Sequence, residues 1–480
     1  MTNDHPSPPA PSAVPQRQLT LLDSTSIIVG IIIGAGIYES TPLIAQNVPG
    51  LGGLVLAWVL GGLFSLVGAL CYAELATTYP KAGGDYVYLT RAFGRSVGFL
   101  FAWVQLWIVR PGSIGAMAFI FGRYANELAP LPLGEGPEAQ AHAKLLYAVG
   151  SILVLSVVNI LGVREGKWTQ NVLTAAKVAG LAGIVVAGFL FTAPAAAAPV
   201  AVAAPEPWTT MLAKFGFAMI FVFYAYGGWN EMAYVGAEVR NPDRNISRAL
   251  ILGTVGVMAI YLLVTLAFVN SLGVDGVRRC SDVTEQAVAT QIVQLPLGAW
   301  GGRVISLLIA VSALGAINGM IFTGARIYYA MGADHRLYAW LGRWHPRLGT
   351  PVTSLVIQAA ITLALVVGFG LVRSESEPAK SGFESMVKFT APPFWIFLVL
   401  VGIAVFVLRR RDAGLARPYR VPGYPVTPVL FCAYSAYMIY TSLDYAISQR
   451  SWEGIWCIAI LLVGALLSIQ AGRARPPRSQ

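Results

Sequence analysis

Charged residues are scarce in this chain. Aspartate, glutamate, lysine and arginine together make up 12% of its 480 residues, whereas hydrophobic residues make up 56%. A soluble domain carries about 25% charged residues, and the mean hydropathy here is +0.65. The composition therefore excludes an ordinary soluble protein and predicts a polytopic membrane protein.

Cysteine and histidine are equally scarce, with four residues of each. The cysteines have no spacing that suits a zinc site or a disulfide framework. The histidines lie scattered, and the sequence contains no metalloprotease, catalytic-triad or phosphate-loop motif. A channel would require a repeated pore motif or rings of charge, and neither is visible. The sequence thus predicts no catalytic residue, no metal and no cofactor, and it leaves a polytopic membrane enzyme as a remote alternative.

What the sequence does contain is a series of apolar segments of about 20 residues, the length a helix needs to cross a bilayer. The segments cover residues 22–47, 51–78, 96–122, 144–162, 168–193, 211–237, 248–271, 302–330, 351–372, 385–408, 426–446 and 452–471. The proline- and serine-rich residues 1–20 ahead of them are predicted to form a disordered tail. The predicted fold is an all-α membrane protein with 12 transmembrane helices.

Positive charge is unevenly distributed between the loops. With the N-terminus placed inside, 21 of the 33 lysines and arginines fall in inner loops and tails. Because positively charged loops stay in the cytoplasm, both termini, including the tail at residues 472–480, are predicted to be cytoplasmic. Topology therefore accounts for the net charge of +10, and we predict contact with a lipid bilayer and no nucleic-acid partner.

Two apolar segments are interrupted by glycines at their middle. Gly34 and Gly36 interrupt the first, and Gly227 and Gly228 interrupt the sixth. Small residues in membrane helices often serve close packing, but paired breaks at corresponding places also mark the substrate site of a transporter with inverted repeats. The distance of five spans predicts two five-helix repeats of opposite orientation. They cover residues 21–193 and 211–408, and two additional helices follow at 426–471.

Several strings stand in one order along the chain: IIGAGIYESTP, CYAELATTYPKAGGDYVYLTRAFG, LWIVRP, TQNVLTAAKVAGL, FYAYGGWNEMAYVGAEVRNPDRNISRAL and SALGAINGMIFTGARIYYAMGADHRL. Over residues 19–420 the chain resembles the amino acid–polyamine–organocation superfamily, and within it the L-type amino acid transporter (light-subunit) family. The resemblance implies the fold of the leucine transporter and a sodium-independent amino acid transporter, usually an exchanger of neutral L-amino acids that works by alternating access. A proton-coupled symporter or a uniporter, and cationic amino acids or amines as substrates, stay open as alternatives.

An amino acid substrate carries a carboxylate and an ammonium group. Backbone N–H groups at the first break would begin a half-helix, whose N-terminus attracts an anion, and carbonyls freed at the second break would accept hydrogen bonds from the ammonium. The predicted substrate-binding residues are Ile32, Ile33, Gly34, Ala35, Gly36, Ile37, Tyr224, Ala225, Tyr226, Gly227 and Asn230. By resemblance Ala35 stands where a serine is frequent. Tyr224 stands where an aromatic gate covers the substrate, with plain helix packing as the alternative.

Five further residues are predicted to support the site. Lys177 lies deep in its span, where a charge is costly; by resemblance it matches the lysine that replaces a sodium ion and ties the fifth span to the first and eighth. Arg110, before a proline, is expected at a helix end or on the cytoplasmic side of the pathway. Glu231 would favour a cationic side chain if it faces the substrate, and it would be an ion-pair partner if it faces Arg110 or a loop. Trp229 and Asn318 complete this set.

Ion pairs are also expected at the cytoplasmic helix ends. Glu74 and Glu238 lie there, and Arg91, Arg240 and Arg244 are the expected partners. Such pairs are individually weak when they are exposed to solvent.

Eukaryotic members of the family bind a single-span glycoprotein through a cysteine that follows the third span. Residues 123–143, which form this connection here, contain no cysteine. The resemblance therefore predicts a carrier without a heavy-chain glycoprotein partner, located in the plasma membrane, which in a bacterium is the inner membrane.

Overall fold

The computed structural model describes residues 14–34, 36–134, 136–192, 207–280, 288–371, 382–448 and 452–473. Regular secondary structure in these ranges is helical, and two isolated β-bridges accompany it. The first eight α-helices are α1 (Leu21–Ile32), α2 (Gly36–Gln46), α3 (Gly50–Thr78), α4 (Asp85–Phe93), α5 (Arg95–Val104), α6 (Arg110–Leu128), α7 (Pro137–Leu161) and α8 (Val163–Leu190). The others are α9 (Trp208–Tyr226), α10 (Pro242–Arg279), α11 (Val288–Leu297), α12 (Trp300–Asp334), α13 (Val352–Leu371), α14 (Gly382–Arg411), α15 (Val426–Ser448) and α16 (Trp452–Arg473). A π-helix covers Gln105–Val109, and 3₁₀-helices cover Trp229–Glu238 and Arg336–Tyr338.

Ten helical segments in the described part of the chain are long and apolar enough to cross a bilayer. They are α3, α5 with α6, α7, α8, α9 with the 3₁₀-helix that follows it, α10, α12, α13, α14 and α15. The pair α1–α2, bent by 43°, adds one span at the start. The 22 residues of α16 extend about 33 Å, which matches the bilayer core and adds the last span. The predicted architecture of twelve transmembrane helices with breaks in the first and sixth is confirmed, and we number the spans 1 to 12 in chain order.

The spans pack in a pattern that repeats after five helices. Span 3 packs against spans 8 and 10, and its counterpart, span 8, packs against spans 3 and 5. Likewise span 1 packs against span 7, and span 6 packs against span 2. The short helix α4 connects spans 2 and 3, and α11 occupies the corresponding connection between spans 7 and 8. These equivalences are those of two inverted five-helix repeats, with α15 and α16 outside them.

The start of span 1 is attached to the end of span 6. Thr20 begins α1 with a capping box, in which its hydroxyl accepts from the Asp23 N–H and its own N–H donates to the Asp23 carboxylate. Just before this cap, the N–H groups of Gln18 and Leu19 both donate to the Glu238 carbonyl at 2.8 Å. Residues 1–13 and 474–480 of the predicted tails lie outside the described residues.

The face that carries the arginine-rich loops, which we call the inner face, is held together by ion pairs. Arg326 in α12 donates two hydrogen bonds of 2.8 and 3.0 Å to the Glu238 carboxylate, and the two side chains are 0% and 1% exposed. Glu74 in α3 accepts from Arg409 at the end of α14 and from the Val421 N–H. The two carboxylates thereby join span 6 to span 8 and span 2 to span 10.

The partners that the sequence suggests for these carboxylates are therefore wrong. Arg91 instead lies 2.9 Å from Asp412, which also accepts from the Tyr79 hydroxyl at 2.6 Å. This hydrogen bond and the nearby Arg91 lower the pKa of Asp412 below its usual value. Spacing along the chain does not identify such pairs, because the packing of spans brings together Glu238 and Arg326, which are distant in sequence.

Glu238→Gln is expected to destabilise the protein strongly, because it leaves the buried Arg326 guanidinium without a counter-charge. Breaking one partner of a buried pair costs about 3–5 kcal/mol, so thermal unfolding in detergent should begin at a clearly lower temperature. The matched control is Asp275→Asn, which breaks a pair with Arg278 whose side chains are 43% and 32% exposed, and it should cost at most about 1 kcal/mol. Equal melting temperatures for the two variants would contradict this account.

Candidate functional site

Span 1 breaks after α1. Its last residue is Ile32, and α2 begins at Gly36. The N–H of Gly34 donates to the Ile32 carbonyl at 2.8 Å, so it does not continue the helical bond to Gly30. Ala35 lies outside the described residues. The break thus leaves carbonyls at the end of α1 without helical partners, and it begins α2 with N–H groups that have none either.

Span 6 breaks between α9 and the following 3₁₀-helix. The N–H of Gly227 turns back to the Tyr224 carbonyl at 3.1 Å. Gly228 has φ = +111°, a conformation that side chains with a Cβ rarely adopt. A Cβ there would also collide with the side chain of Ile31, so the two breaks lie directly against each other.

Tyr261 in span 7 joins the two breaks. Its hydroxyl lies 2.9 Å from the Ile32 carbonyl and 3.0 Å from the Ala225 carbonyl, within hydrogen-bond distance of both. Its ring packs edge-on against Trp58 at 5.2 Å between ring centroids. One buried side chain therefore holds the broken ends of spans 1 and 6 in a fixed relation.

Lys177 in span 5 satisfies the carbonyls that the first break leaves behind. Its fully buried ammonium donates to the carbonyls of Gly30 at 2.7 Å, Ile33 at 2.8 Å and Ser312 at 2.9 Å. All three ammonium protons are thereby used. These contacts connect span 5 to spans 1 and 8, the two spans that the resemblance predicts for Lys177.

A cavity of about 340 Å³ lies beside the two breaks. Spans 1, 3, 6, 8, 10 and 11 supply its wall. Eight of the residues singled out in the sequence line it: Ile32, Gly34, Gly36, Arg110, Tyr224, Ala225, Gly227 and Glu231. Its volume lies within the range of small-molecule sites, about 300–1,000 Å³.

A comparison with protein families decides what kind of protein this cavity belongs to. The family model described as Amino acid permease matches residues 19–466, nearly the whole chain. The chain belongs to the amino acid permease family. This family is part of the amino acid–polyamine–organocation superfamily, so the resemblance seen in the sequence is confirmed.

Three relatives show how far this similarity extends. The b(0,+)-type amino acid transporter 1 of Homo sapiens is 30% identical over 94% of this chain and 87% of its own length. The serine/threonine exchanger SteT of Bacillus subtilis is 30% identical over 89% of this chain and 91% of its own. The large neutral amino acids transporter small subunit 2 of Mus musculus is 29% identical over 94% and 80%. The permease is thus an amino acid transporter.

Other predicted site residues of the permease lie behind the cavity wall. Tyr226 donates its hydroxyl to the Trp58 carbonyl at 3.0 Å, and Trp229 packs edge-on against Tyr72. Asn230 donates to the Tyr234 hydroxyl at 3.0 Å. Ile33, Ile37, Lys177 and Asn318 are also buried beside the wall and do not line the cavity. A direct contact with substrate stays a prediction for Ile33, Ile37, Tyr226 and Asn230, and a supporting role stays a prediction for Trp229, Lys177 and Asn318.

Asn318 lies in a buried polar network on the far side of span 1. Its amide accepts from Asn159 in span 4 at 2.8 Å and donates to Gln170 in span 5 at 2.9 Å. It also donates to the Gly166 carbonyl at 3.1 Å. The residue therefore connects span 8 to spans 4 and 5, away from the cavity.

Arg110 and Glu231 form an ion pair in the cavity wall. The guanidinium and the carboxylate approach to 2.7 Å, and the two side chains are 3% and 8% exposed. The Thr323 hydroxyl lies 2.6 Å from the same carboxylate oxygen. Of the two alternatives for Glu231, the structure favours the ion-pair partner, although the pair borders the cavity.

Span 3 contains a π-turn that the sequence does not predict. The Arg110 N–H donates to the Gln105 carbonyl, five residues earlier, and this wider turn interrupts the α-helix at Gln105–Val109. A π-turn rotates the residues that follow it about the helix axis, and such turns frequently occur at functional sites. Here Gln105, Val109, Arg110 and Ser113 all line the cavity. Pro111, which cannot donate a helical hydrogen bond, is the one local signal in the sequence.

The cavity lies on the opposite side of the breaks from the inner face. Its wall includes α2, α9, the first part of α14 near Phe394 and the last part of α15 near Thr441. The ion pairs of Glu238 and Glu74 lie at the other ends of the same bundle. The cavity, with Arg110 in its wall, therefore lies between the breaks and the face opposite the inner face.

Lys177→Met is expected to lower the initial rate of amino acid uptake by about tenfold or more, because each carbonyl that loses its buried donor costs about 1–3 kcal/mol. Uptake into proteoliposomes at equal protein content provides the measurement. The matched control is Lys81→Met, which removes an exposed lysine from the connection between α3 and α4 and should leave uptake unchanged. Normal uptake by the Lys177 variant, or an equal loss in both, would contradict the supporting role of Lys177.

Proposed function

We propose that this permease is a sodium-independent exchanger of neutral L-amino acids in the plasma membrane, with both termini in the cytoplasm. The observation that carries the proposal is the placement of two helix breaks beside one cavity whose charged wall residues are paired. Backbone groups of the breaks would bind the parts that all amino acids share. The rest of the cavity would select the side chain.

The carboxylate of the substrate would bind at the beginning of α2. The first N–H groups of a helix have no partner within the helix, and the helix dipole favours an anion there. Gly34 and Gly36 line the cavity at this point, and the absence of side chains on them lets a ligand approach the backbone. A charged side chain is not required at this end.

The ammonium of the substrate would bind at the end of α9. The Tyr224 carbonyl accepts from the Gly227 N–H and the Ala225 carbonyl accepts from the Tyr261 hydroxyl. A carbonyl oxygen has two lone pairs and can accept from an ammonium as well as from a protein donor. Both residues line the cavity, which supports their assignment.

Sodium independence is supported by the contacts of Lys177. Three carbonyl oxygens converge on its ammonium at 2.7–2.9 Å, and a cluster of carbonyl oxygens without this group would attract a cation. The covalently attached ammonium would supply that positive charge instead. The permease would then need no dissolved ion to hold span 1 against spans 5 and 8.

Selection of neutral substrates is supported by the pairing of Arg110 with Glu231. The remaining wall is largely aromatic and aliphatic and includes Phe221, Phe394 and Trp395. Exchange is supported by the similarity of this chain, over most of its length, to the serine/threonine exchanger SteT. If the empty permease rarely breaks the buried Arg326–Glu238 pair, it would return to its starting conformation only with a bound substrate, which is the condition for exchange.

We also propose that the permease works without a heavy chain. One relative is named as a small subunit, and the resemblance implies that such subunits are joined to their partner through a cysteine after span 3. The connection at residues 123–143 contains no cysteine. Activity of the purified chain alone is therefore expected.

The test is uptake into proteoliposomes that contain only the purified permease. Labelled neutral L-amino acids should enter vesicles preloaded with unlabelled neutral amino acid, and should not enter empty vesicles. Replacement of sodium by potassium, or an imposed pH gradient, should not change the rate. A panel that includes cationic amino acids and amines identifies the substrates.

Three outcomes would contradict parts of this proposal. Uptake into empty vesicles that follows a pH gradient would replace exchange by proton coupling. A requirement for sodium would refute the role assigned to Lys177. Activity that appears only after a second protein is added would refute the stand-alone carrier.

A further inference from the structure

The ion pair in the cavity wall joins two different spans. Arg110 lies in span 3, directly after the π-turn, and Glu231 lies in the 3₁₀-helix of span 6. The residues are 2% and 6% exposed, and their charged atoms are 2.7 Å apart. Among the described residues that line the cavity, these two are the ones that carry a full charge. The net charge of the wall therefore depends on this pair.

The surroundings of the pair keep it closed. The Arg110 guanidinium lies over the ring of Tyr234 at 4.9 Å, and the Thr323 hydroxyl lies 2.6 Å from the bound carboxylate oxygen of Glu231. A guanidinium stays protonated in proteins, so Arg110 cannot become neutral to relieve its burial. Its positive charge must be balanced by another group, and in this structure that group is Glu231.

This arrangement penalises a charged side chain on the substrate. An acidic side chain that took the place of Glu231 beside Arg110 would leave the buried Glu231 carboxylate without its counter-charge. A basic side chain would do the same to Arg110. Leaving one partner of such a pair alone is strongly unfavourable, and a penalty against competing ligands is one of the two ways to obtain specificity.

We propose that Glu231 is a specificity-determining residue, which neutralises Arg110 and so excludes amino acids with acidic side chains from the cavity. Without the Glu231 charge, Arg110 becomes a binding site for a substrate carboxylate. Without the Arg110 charge, Glu231 becomes a binding site for a substrate ammonium. The inference rests on the proposed function, because it concerns the side-chain end of the same amino acid site.

The experiment compares three substrates in preloaded proteoliposomes. The ratio of labelled L-glutamate uptake to labelled neutral amino acid uptake is measured for the wild type and for Glu231→Gln. The ratio should rise about tenfold to a hundredfold in the variant, the range expected for one hydrogen bond to a charged group. Arg110→Gln should raise the ratio for L-lysine instead and leave the ratio for L-glutamate low.

The double variant Arg110→Gln/Glu231→Gln is the matched control. Its wall is again free of net charge, so neither ratio should rise. A general loosening of the cavity would raise both ratios in all three variants, which would overturn the proposal. The ratios are independent of the absolute rate, which each substitution is expected to lower.

The failure of this inference and the failure of the proposed function are distinguishable. If the wild type exchanges no neutral amino acid, the proposed function is wrong. If the wild type exchanges neutral amino acids but the folded Glu231→Gln variant gains no L-glutamate uptake, the role of Glu231 alone is wrong. If the unpaired Arg110 prevents the Glu231→Gln variant from folding, the Arg110→Gln variant provides the test. A ratio of L-lysine uptake to neutral amino acid uptake that equals the wild-type ratio would then overturn the proposal.

Discussion

A bilayer offers no water to a backbone group that leaves its helix, so each such group must find a partner in the protein. The centre of this permease depends on how that demand is met at two breaks. Lys177 occupies the carbonyls of Gly30 and Ile33, and Tyr261 spans the Ile32 and Ala225 carbonyls. The Ile32 and Ile33 carbonyls each accept a second hydrogen bond, from the Gly34 N–H and the Ser312 hydroxyl. The breaks are therefore stabilised within the protein itself, without a ligand.

The buried charges of the molecule are also satisfied by partners within the protein. Arg110 is paired with Glu231 in the cavity wall, and Arg326 is paired with Glu238 at the inner face. The first pair joins span 6 to span 3 of the other repeat, and the second joins it to span 8 of its own repeat. Since a buried charge cannot be left alone, span 6 cannot move away from these helices unless a substrate or water replaces the lost partner. The two pairs therefore hold span 6 against spans 3 and 8.

Much of this architecture follows from local features of the sequence. Hydropathy and the glycine pairs predict twelve spans and the two breaks, because both depend on composition over short windows. Apart from Arg110, the wall contributed by spans 3, 10 and 11 is not predicted, since it depends on which distant helices pack together. The π-turn at Gln105–Val109 is not predicted either, because a one-residue insertion hardly alters a hydropathy pattern. Trp229 and Asn230 were assigned to the site by motif, but the narrow 3₁₀ winding after Gly228 directs them into the packing behind it.

Span 11 lies outside the repeat, but its contacts make it part of the transport unit. The ring of Tyr434 is stacked on Phe223 in the outer half of span 6, 5.2 Å apart and inclined by 15°. Three residues earlier on the same helix, Phe431 packs against Trp229 in the inner half. Span 11 therefore contacts span 6 on both sides of its break, while Thr441 lines the cavity. A change in the angle between the two halves of span 6 must either separate one of these aromatic pairs or move span 11 as well. Span 11, which the inverted repeat does not include, therefore contributes to the resistance of span 6 to reorientation.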